Sequence, residues 1–217
     1  MPAARSALPA QAPNEPAALG LTDNPEANAL IAADPFALLV GMVLDQQIPI
    51  EWAFTGPLTL NERLGHRATP VAIAAMWESD PQRLTELFCR PPALHRFPAA
   101  MAQRVGELAV HIRDNYGGDA RAIWASSRTG AELLARVHDL PGFGAHKSAI
   151  FVALLAKQLG VRPRGWRTAA GRFAERGWQS VADIVDADTR ERVRAAKRAA
   201  KAAVAAPTGR LGHSGPA

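Results

Sequence analysis

The stretch of this 217-residue chain that decides the fold is Leu140-Pro141-Gly142-Phe143-Gly144. A helical pattern precedes it at 131–137, and an amphipathic run follows it at 145–159. Together they predict a helix, a glycine hairpin and a second helix over about 129–159. Two glycines around one apolar residue allow a tight reversal and expose backbone N–H groups at the start of the second helix. Such a corner can bind a DNA phosphate. The alternative is an ordinary corner between two helices with a glycine C-cap, and a Gly-x-Gly motif taken alone would favour this second interpretation.

The rest of the chain also has a helical composition. Alanine accounts for 45 residues, and the β-branched and aromatic clusters typical of strands are scarce. Four sites place a capping side chain before a proline and so mark helix starts: Asn24-Pro25, Asp34-Pro35, Thr69-Pro70 and Asp80-Pro81. The predicted helices are 25–33, 35–47, 49–64, 70–77, 81–88, 98–116, 129–138, 145–159, 168–176, 180–185 and 188–206. We expect one all-α domain over 21–206, between a disordered arm at 1–20 and a disordered tail at 207–217.

Cysteine usage and hydropathy limit the class of protein. Cys89 is the only cysteine, which excludes an iron–sulfur cluster held by four thiolates, and we expect neither a metal nor a cofactor. The longest apolar stretch, 35–44, is much shorter than the roughly 20 residues of a membrane span. Residues 1–20 do not resemble a secretory signal. These features predict a monomeric cytoplasmic protein without a membrane partner.

Positive charge is concentrated in the C-terminal part of the chain. Residues 1–160 hold 13 basic and 15 acidic side chains, whereas residues 161–217 hold 12 and 5, a net charge of +7. This asymmetry favours a polyanionic partner, nucleic acid before membrane; the alternative is an arginine-rich composition without such a partner. The predicted helix at 188–206 carries six of these cations and few apolar anchors. It is either a phosphate-neutralising arm or a solvated terminal helix that buries little.

Three landmarks resemble the HhH-GPD superfamily of base-excision DNA glycosylases, and more narrowly its actinobacterial members. They are an apolar run ending in Gln-Gln at 38–47, a segment at 95–118 that opens a long helix ending at glycine, and the hairpin at 140–144. The resemblance covers roughly 35–175. It implies the helical fold of that superfamily, a nucleoid-associated protein, and double-stranded, damaged DNA as its partner.

The resemblance also implies roles for two groups of residues. The hairpin residues Leu140, Gly142, Phe143 and Gly144 would bind DNA. Gln46 and Gln47 stand where a glutamine of the superfamily enters the base stack near the lesion, and an amide can also hydrogen-bond the orphaned base. The alternative is that these amides only cap carbonyl groups at the end of their helix.

The expected chemistry departs from the superfamily pattern. Its catalytic aspartate should follow the hairpin by about twenty residues, but no Asp or Glu lies between Asp139 and Glu175. Arginines there would oppose the positive charge that develops on the sugar as an N-glycosidic bond breaks. Asp45, beside the glutamine pair, is the best surrogate acid; its alternative role is a helix-end group paired with an arginine.

Two further groups are candidates for DNA contact. The nucleophilic lysine of bifunctional members would stand where this chain has His146, and Lys147 follows one residue, about 100° of helix, later. Lys147 is a candidate nucleophile, a phosphate contact or a solvated lysine, and His146 a candidate titrating group or DNA contact. Arg164 and Arg167 flank Trp166, whose indole stacks on a base or lies in the core.

The sequence supports three hypotheses. The first is a DNA N-glycosylase of base-excision repair that uses a non-standard carboxylate. The second is a non-catalytic binder of damaged or distorted duplex DNA that keeps the hairpin and the glutamine wedge. The third is a helical scaffold whose basic surface is compositional. The missing aspartate favours binding over cleavage.

Overall fold

The structure, a computed structural model, describes residues 19–205, and the regular secondary structure of that range is helical. The helices are α1 Pro25–Ala33, α2 Pro35–Leu44, α3 Ile50–Leu64, α4 Pro70–Ser79, α5 Pro81–Cys89, α6 Pro98–Tyr116, α7 Ala122–Ala125, α8 Gly130–His138, α9 Ala145–Gln158, α10 Trp166–Ala170 and α11 Ala187–Ala205. Two 3₁₀ helices, Gly171–Ala174 and Val181–Asp183, lie between α10 and α11. The all-α prediction is confirmed for these residues, in which one isolated bridge, Thr129 to Arg164, is the only β pairing.

The helix starts follow the predicted caps. Asn24 and Asp34 accept hydrogen bonds from two backbone N–H groups each in the first turn of the helix that follows. Thr69 and Asp80 each accept one in the same way. A proline at the first helical position has no N–H that would need a partner, so cap and proline together specify the start.

Most boundaries agree with the prediction to within two residues, and the larger differences lie in four places. α2 ends at Leu44 and not at residue 47, because Asp45 leaves helical geometry with ψ 70°. The helix expected at 168–176 is α10 followed by a 3₁₀ turn, and the one expected at 180–185 is a three-residue 3₁₀ helix. The short α7 was not predicted. Leu19, within the expected disordered arm, is buried; residues 1–18 and the predicted tail lie outside the described residues.

The central element is α2, in which every residue from Phe36 to Leu44 is buried. It packs against α1, α3 and α6. A Cβ on Gly41 would lie 2.6 Å from the ring of Phe54, so a glycine is needed for α2 and α3 to approach this closely. The hairpin end of α9 then meets the C-terminal end of α2, which brings the first and third landmarks together.

A helix that crosses a membrane must be both long and apolar. No single helix of residues 19–205 meets both requirements. α1 and α2 meet them only when they are taken as one segment, and they are bent by 115° relative to each other.

Candidate nucleic-acid interface

The hairpin joins α8 to α9 as the sequence predicts. Gly142 is exposed with φ 85°, a conformation that L side chains rarely adopt. The Phe143 N–H donates to the Leu140 carbonyl at 3.0 Å. The side chains of both residues are buried, and the Phe143 ring packs edge-on against Phe151. Leu140 and Phe143 therefore support the turn from inside, so a DNA contact by these two residues would use their backbone groups.

Gly144 is not required by the protein's own structure. Its φ is −78°, and a Cβ built on it has no heavy atom within 4 Å. It is the N-cap of α9, and no side chain caps this helix. The N–H groups of the first turn, 145–147, therefore have no intrahelical acceptor and lie at the positive end of the helix dipole. This is the geometry in which a helix N-terminus binds a phosphate.

The two glutamines lie in a turn after α2, and only one of them is exposed. Gln46 Nε2 donates to the Val43 carbonyl at 2.6 Å, and its Oε1 accepts from Arg104 at 2.8 Å. Gln46 therefore caps α2, which is the alternative to DNA insertion. Gln47 is exposed and has φ 58°, an uncommon value for a residue other than glycine. Of the two glutamines, only Gln47 is therefore exposed enough to act as the predicted DNA wedge.

A buried histidine that the sequence analysis missed holds this turn. His95 is 1 % exposed, and its Nδ1 accepts the Phe97 N–H at 3.0 Å. Its Nε2 must then carry the ring proton, which it donates to the Gln46 carbonyl at 2.8 Å. The bond joins positions 49 residues apart, so no local pattern marks the histidine as structural.

Lys147 points toward the C-terminal end of α2 and not out toward solvent. Its Nζ donates to the carbonyls of Met42 and Val43, at 2.5 and 3.3 Å. Burial lowers the pKa of Lys147 to about 8, while the Asp45 carboxylate acts in the opposite direction. Of the three roles expected for Lys147, the solvated lysine does not hold, because Lys147 closes α2 beside an acid.

Asp45 is half-buried, and its environment is basic. Burial raises its pKa, against the opposing effects of Lys197 and Lys147. Within residues 19–205 no salt bridge includes Asp45, so the alternative of a helix-end group paired with an arginine does not hold. Carboxyl groups whose pKa is shifted by burial and by neighbouring charges are frequent at functional sites. Asp45 is therefore a candidate functional residue.

Asp45 and Lys147 line a cavity of about 400 Å³, here called the Asp45 cavity. The exposed Gln47 and His146 also line it, as do Lys197 and Arg198 of α11. The His146 ring packs edge-on against Phe173 at 5.1 Å between centroids. Gln46 lines the cavity as well, so the structure brings five of the predicted site residues to one place, directly beside the N-terminus of α9.

The basic helix α11 forms a wall of this cavity because ion pairs dock it. Arg190 is 4 % exposed and pairs with Asp23 and Glu51, its Nε lying 2.6 Å from a Glu51 carboxylate oxygen. Arg194 also pairs with Glu51. Val193, between the two arginines, is fully buried. Arg190 and Val193 are the only buried residues of 187–203, in agreement with the prediction that this helix cannot bury much, and its two paired arginines hold it in place.

The segment after α9 exposes a different tryptophan from the predicted one. Trp166 is 8 % exposed and belongs to the core, which is the second of the two alternatives given for it, so it does not stack on a base. Arg164 and Arg167 are exposed. Trp178, which the sequence analysis did not select, is 38 % exposed. The sequence signal that could have identified Trp178 as exposed is the Arg176-Gly177 pair that precedes it.

Searches for similar proteins among family models, curated proteins and solved structures found no match. The all-α class therefore rests on the helices themselves. The resemblance to DNA glycosylases rests on the three sequence landmarks alone. Among residues 19–205 no group of three or more His, Cys, Asp or Glu side chains is arranged to hold a metal ion.

Proposed function

We propose that this protein binds damaged or distorted duplex DNA in the manner of the HhH-GPD glycosylases. The observation that carries the proposal is the position of the Asp45 cavity beside the open N-terminus of α9. A protein that extrudes a base needs phosphate contacts that fix its position on the strand and a pocket that receives the base. Here the same helix start supplies His146 and Lys147 to the cavity and its N–H groups to the surface.

Each part has a role in this proposal. The N–H groups at 145–147 bind a phosphate of one strand, and Gly144 lets the backbone approach it. Gln47 occupies the space that an extruded base leaves in the stack. The Asp45 cavity, whose volume of about 400 Å³ is within the usual range for ligand pockets, receives the base. Lys197 and Arg198 attract the flanking phosphates.

Asp45 is the group that would support base excision. When the N-glycosidic bond breaks, the base leaves with the bonding electrons and takes up a proton, and water adds to the sugar carbon. An ionised Asp45 would stabilise the positive charge on the sugar during this step. We therefore propose a DNA N-glycosylase of base-excision repair in which Asp45 replaces the aspartate expected after the hairpin.

A non-catalytic DNA-binding protein is the second candidate function, and a specific observation favours it. The cavity is lined by Lys147, Arg194, Lys197 and Arg198 against the single carboxylate of Asp45. This positive environment attracts phosphates but opposes an oxocarbenium ion. A protein that recognises lesions without cleaving them would need the first property and not the second.

A panel of duplexes, each with one lesion, separates the two functions. Equilibrium binding and alkali-labile strand breaks are measured on the same samples, with undamaged duplex as the reference. Base release from one lesion that disappears in Asp45→Asn, with binding unchanged or tighter, identifies the glycosylase. Selective binding without strand breaks identifies the binder. Glu86→Gln, an equal change of charge at an exposed position of α5, is the control.

If Asp45→Asn releases the base as fast as the wild type, Asp45 is not the acid. If no duplex binds even at low salt, both functions are excluded and the basic surface is compositional.

A further inference from the structure

A second cavity, of about 540 Å³, shares the segment 171–179 with the Asp45 cavity. Gln179 lines the Asp45 cavity, whereas its neighbour Trp178 lines the second one, here called the Trp178 cavity. The end of α9 and the start of α10 complete its walls. Trp166 and Arg167 of its lining were expected to contact DNA, but the function proposed above uses neither of them.

The Trp178 cavity is strongly basic. Its lining holds Lys157, Arg162, Arg167 and Arg176 and one carboxylate, Asp183, which makes a net charge of +3. Asp183 is already paired with Lys157 at 2.6 Å. The salt bridges of the described residues include none of the three arginines. Three guanidinium groups therefore surround the cavity without a carboxylate partner in that part of the chain.

The guanidinium of Arg162 is held in position. Its Nε donates to the Ala156 carbonyl at 2.8 Å, so the two terminal nitrogens remain for a ligand. Arg167 lies over the ring of Trp166, with Cζ 4.8 Å from the ring centroid. A guanidinium that is already oriented loses less side-chain entropy when it binds an anion, which favours a phosphate.

An exposed aromatic ring accompanies these charges. Trp178 is 38 % exposed, and Arg192 of α11 lies over its ring at 5.1 Å. An indole beside unpaired arginines is the combination by which proteins bind unpaired nucleotides, since the base stacks on the ring and the phosphates meet the guanidinium groups. A paired base inside a duplex presents no face to such a ring.

We propose that the Trp178 cavity binds an unpaired stretch of a DNA strand, with one base on Trp178 and its phosphates on Arg162, Arg167 and Arg176. The choice of DNA rests on the proposed function, but the contact does not use the hairpin. Because Trp178 and Gln179 are adjacent, one strand that is locally unpaired beside a lesion reaches both cavities. The protein would then prefer duplexes that contain a gap or a single-stranded tail.

Fluorescence anisotropy with three labelled probes tests this: single-stranded oligothymidine, a blunt duplex and the same duplex with a single-stranded tail. Trp178→Ala should weaken the binding of oligothymidine and of the tailed duplex about tenfold, the loss of one stacked base. Trp178→Phe should retain most of the affinity. Trp52→Ala, which removes an equally exposed indole on α3, should have no effect on oligothymidine.

The phosphate contacts are tested by salt dependence. Arg176→Gln should reduce the slope of log affinity against log salt for oligothymidine by about 1. Arg83→Gln, the same change at an exposed arginine of α5 without a salt bridge, should leave the slope unchanged. Blunt-duplex affinity should stay within twofold of the wild type for every Trp178 and Arg176 variant.

Three results would overturn the proposal: unchanged oligothymidine binding in Trp178→Ala, an equal loss for the blunt duplex, or displacement of oligothymidine by inorganic phosphate at equal phosphate concentration. The proposed function fails separately, if the blunt and lesion duplexes do not bind while oligothymidine does. Thermal unfolding of each variant confirms that the fold is retained.

Discussion

The sharpest test of the hairpin is Gly144→Ala, because the new Cβ meets nothing within the protein. The backbone at this position, φ −78° and ψ 170°, suits any L residue, and the space around the Cβ is open. Alanine is a poorer N-cap than glycine by about 0.5 kcal/mol. Alanine also reduces the conformational entropy of the unfolded chain, which stabilises the folded state by about the same amount. We therefore expect a change in the free energy of unfolding below about 0.5 kcal/mol, or about 2 °C in Tm.

The effect on DNA binding should be much larger. A methyl group at Gly144 stands where the phosphate approaches the N–H groups of α9, and a hydrogen bond to a charged group contributes about 2 kcal/mol. The loss of one such bond raises Kd about 30-fold. Anisotropy with a labelled lesion duplex measures Kd, and thermal unfolding in the same buffer measures Tm.

Gly65→Ala is the matched control with the opposite pattern. Gly65 ends α3 with φ 73° and also has open space around its Cβ. Alanine in this left-handed conformation costs about 1 kcal/mol of stability, but the site lies outside the proposed interface. Unchanged Kd in Gly144→Ala, or a loss of stability as large as the loss of affinity, would refute the role of the hairpin.

Three further predictions concern charge. Duplex affinity should fall roughly 100-fold between 50 and 200 mM salt if about four phosphates are contacted; a flat response in a filter-binding salt series contradicts this. Because the pKa of Lys147 is lowered in the folded state to about 8, the unfolded chain binds more protons above that pH. Stability of the wild type relative to Lys147→Met, measured by urea unfolding, should therefore rise by on the order of 1 kcal/mol from pH 8 to 10. A constant difference argues against a depressed pKa. Arg190→Met removes a cation that neutralises Glu51 and should lower the free energy of unfolding by about 3 kcal/mol, measured by thermal unfolding. Arg198→Met, the control, should lower it little. Equal and small losses in the two variants would show that α11 does not depend on its ion pairs.

Helix starts were predictable because the forces that set them act over three or four residues. Asp34 and Asp80 show this, since each carboxylate bonds N–H groups two or three positions further on. The hairpin was predictable for the same reason, because Gly142 alone accounts for its positive φ. The end of α2 was not, since nothing near Asp45 in the sequence states that Lys147 will close the helix.

The sequence by itself therefore determined the all-helical class, the positions of the caps and the exposed glycine hairpin, all of which follow from local backbone chemistry. Only the tertiary structure decided which polar side chains face a ligand. Lys147 bonds Met42 from 105 positions away, and Arg190 reaches Asp23 across 167. Burial of Trp166 and exposure of Trp178 likewise depend on how distant helices pack. The local sequence around a charged or aromatic side chain is the same whether that side chain docks a helix or faces a ligand. Only its neighbours from distant parts of the chain distinguish the two roles.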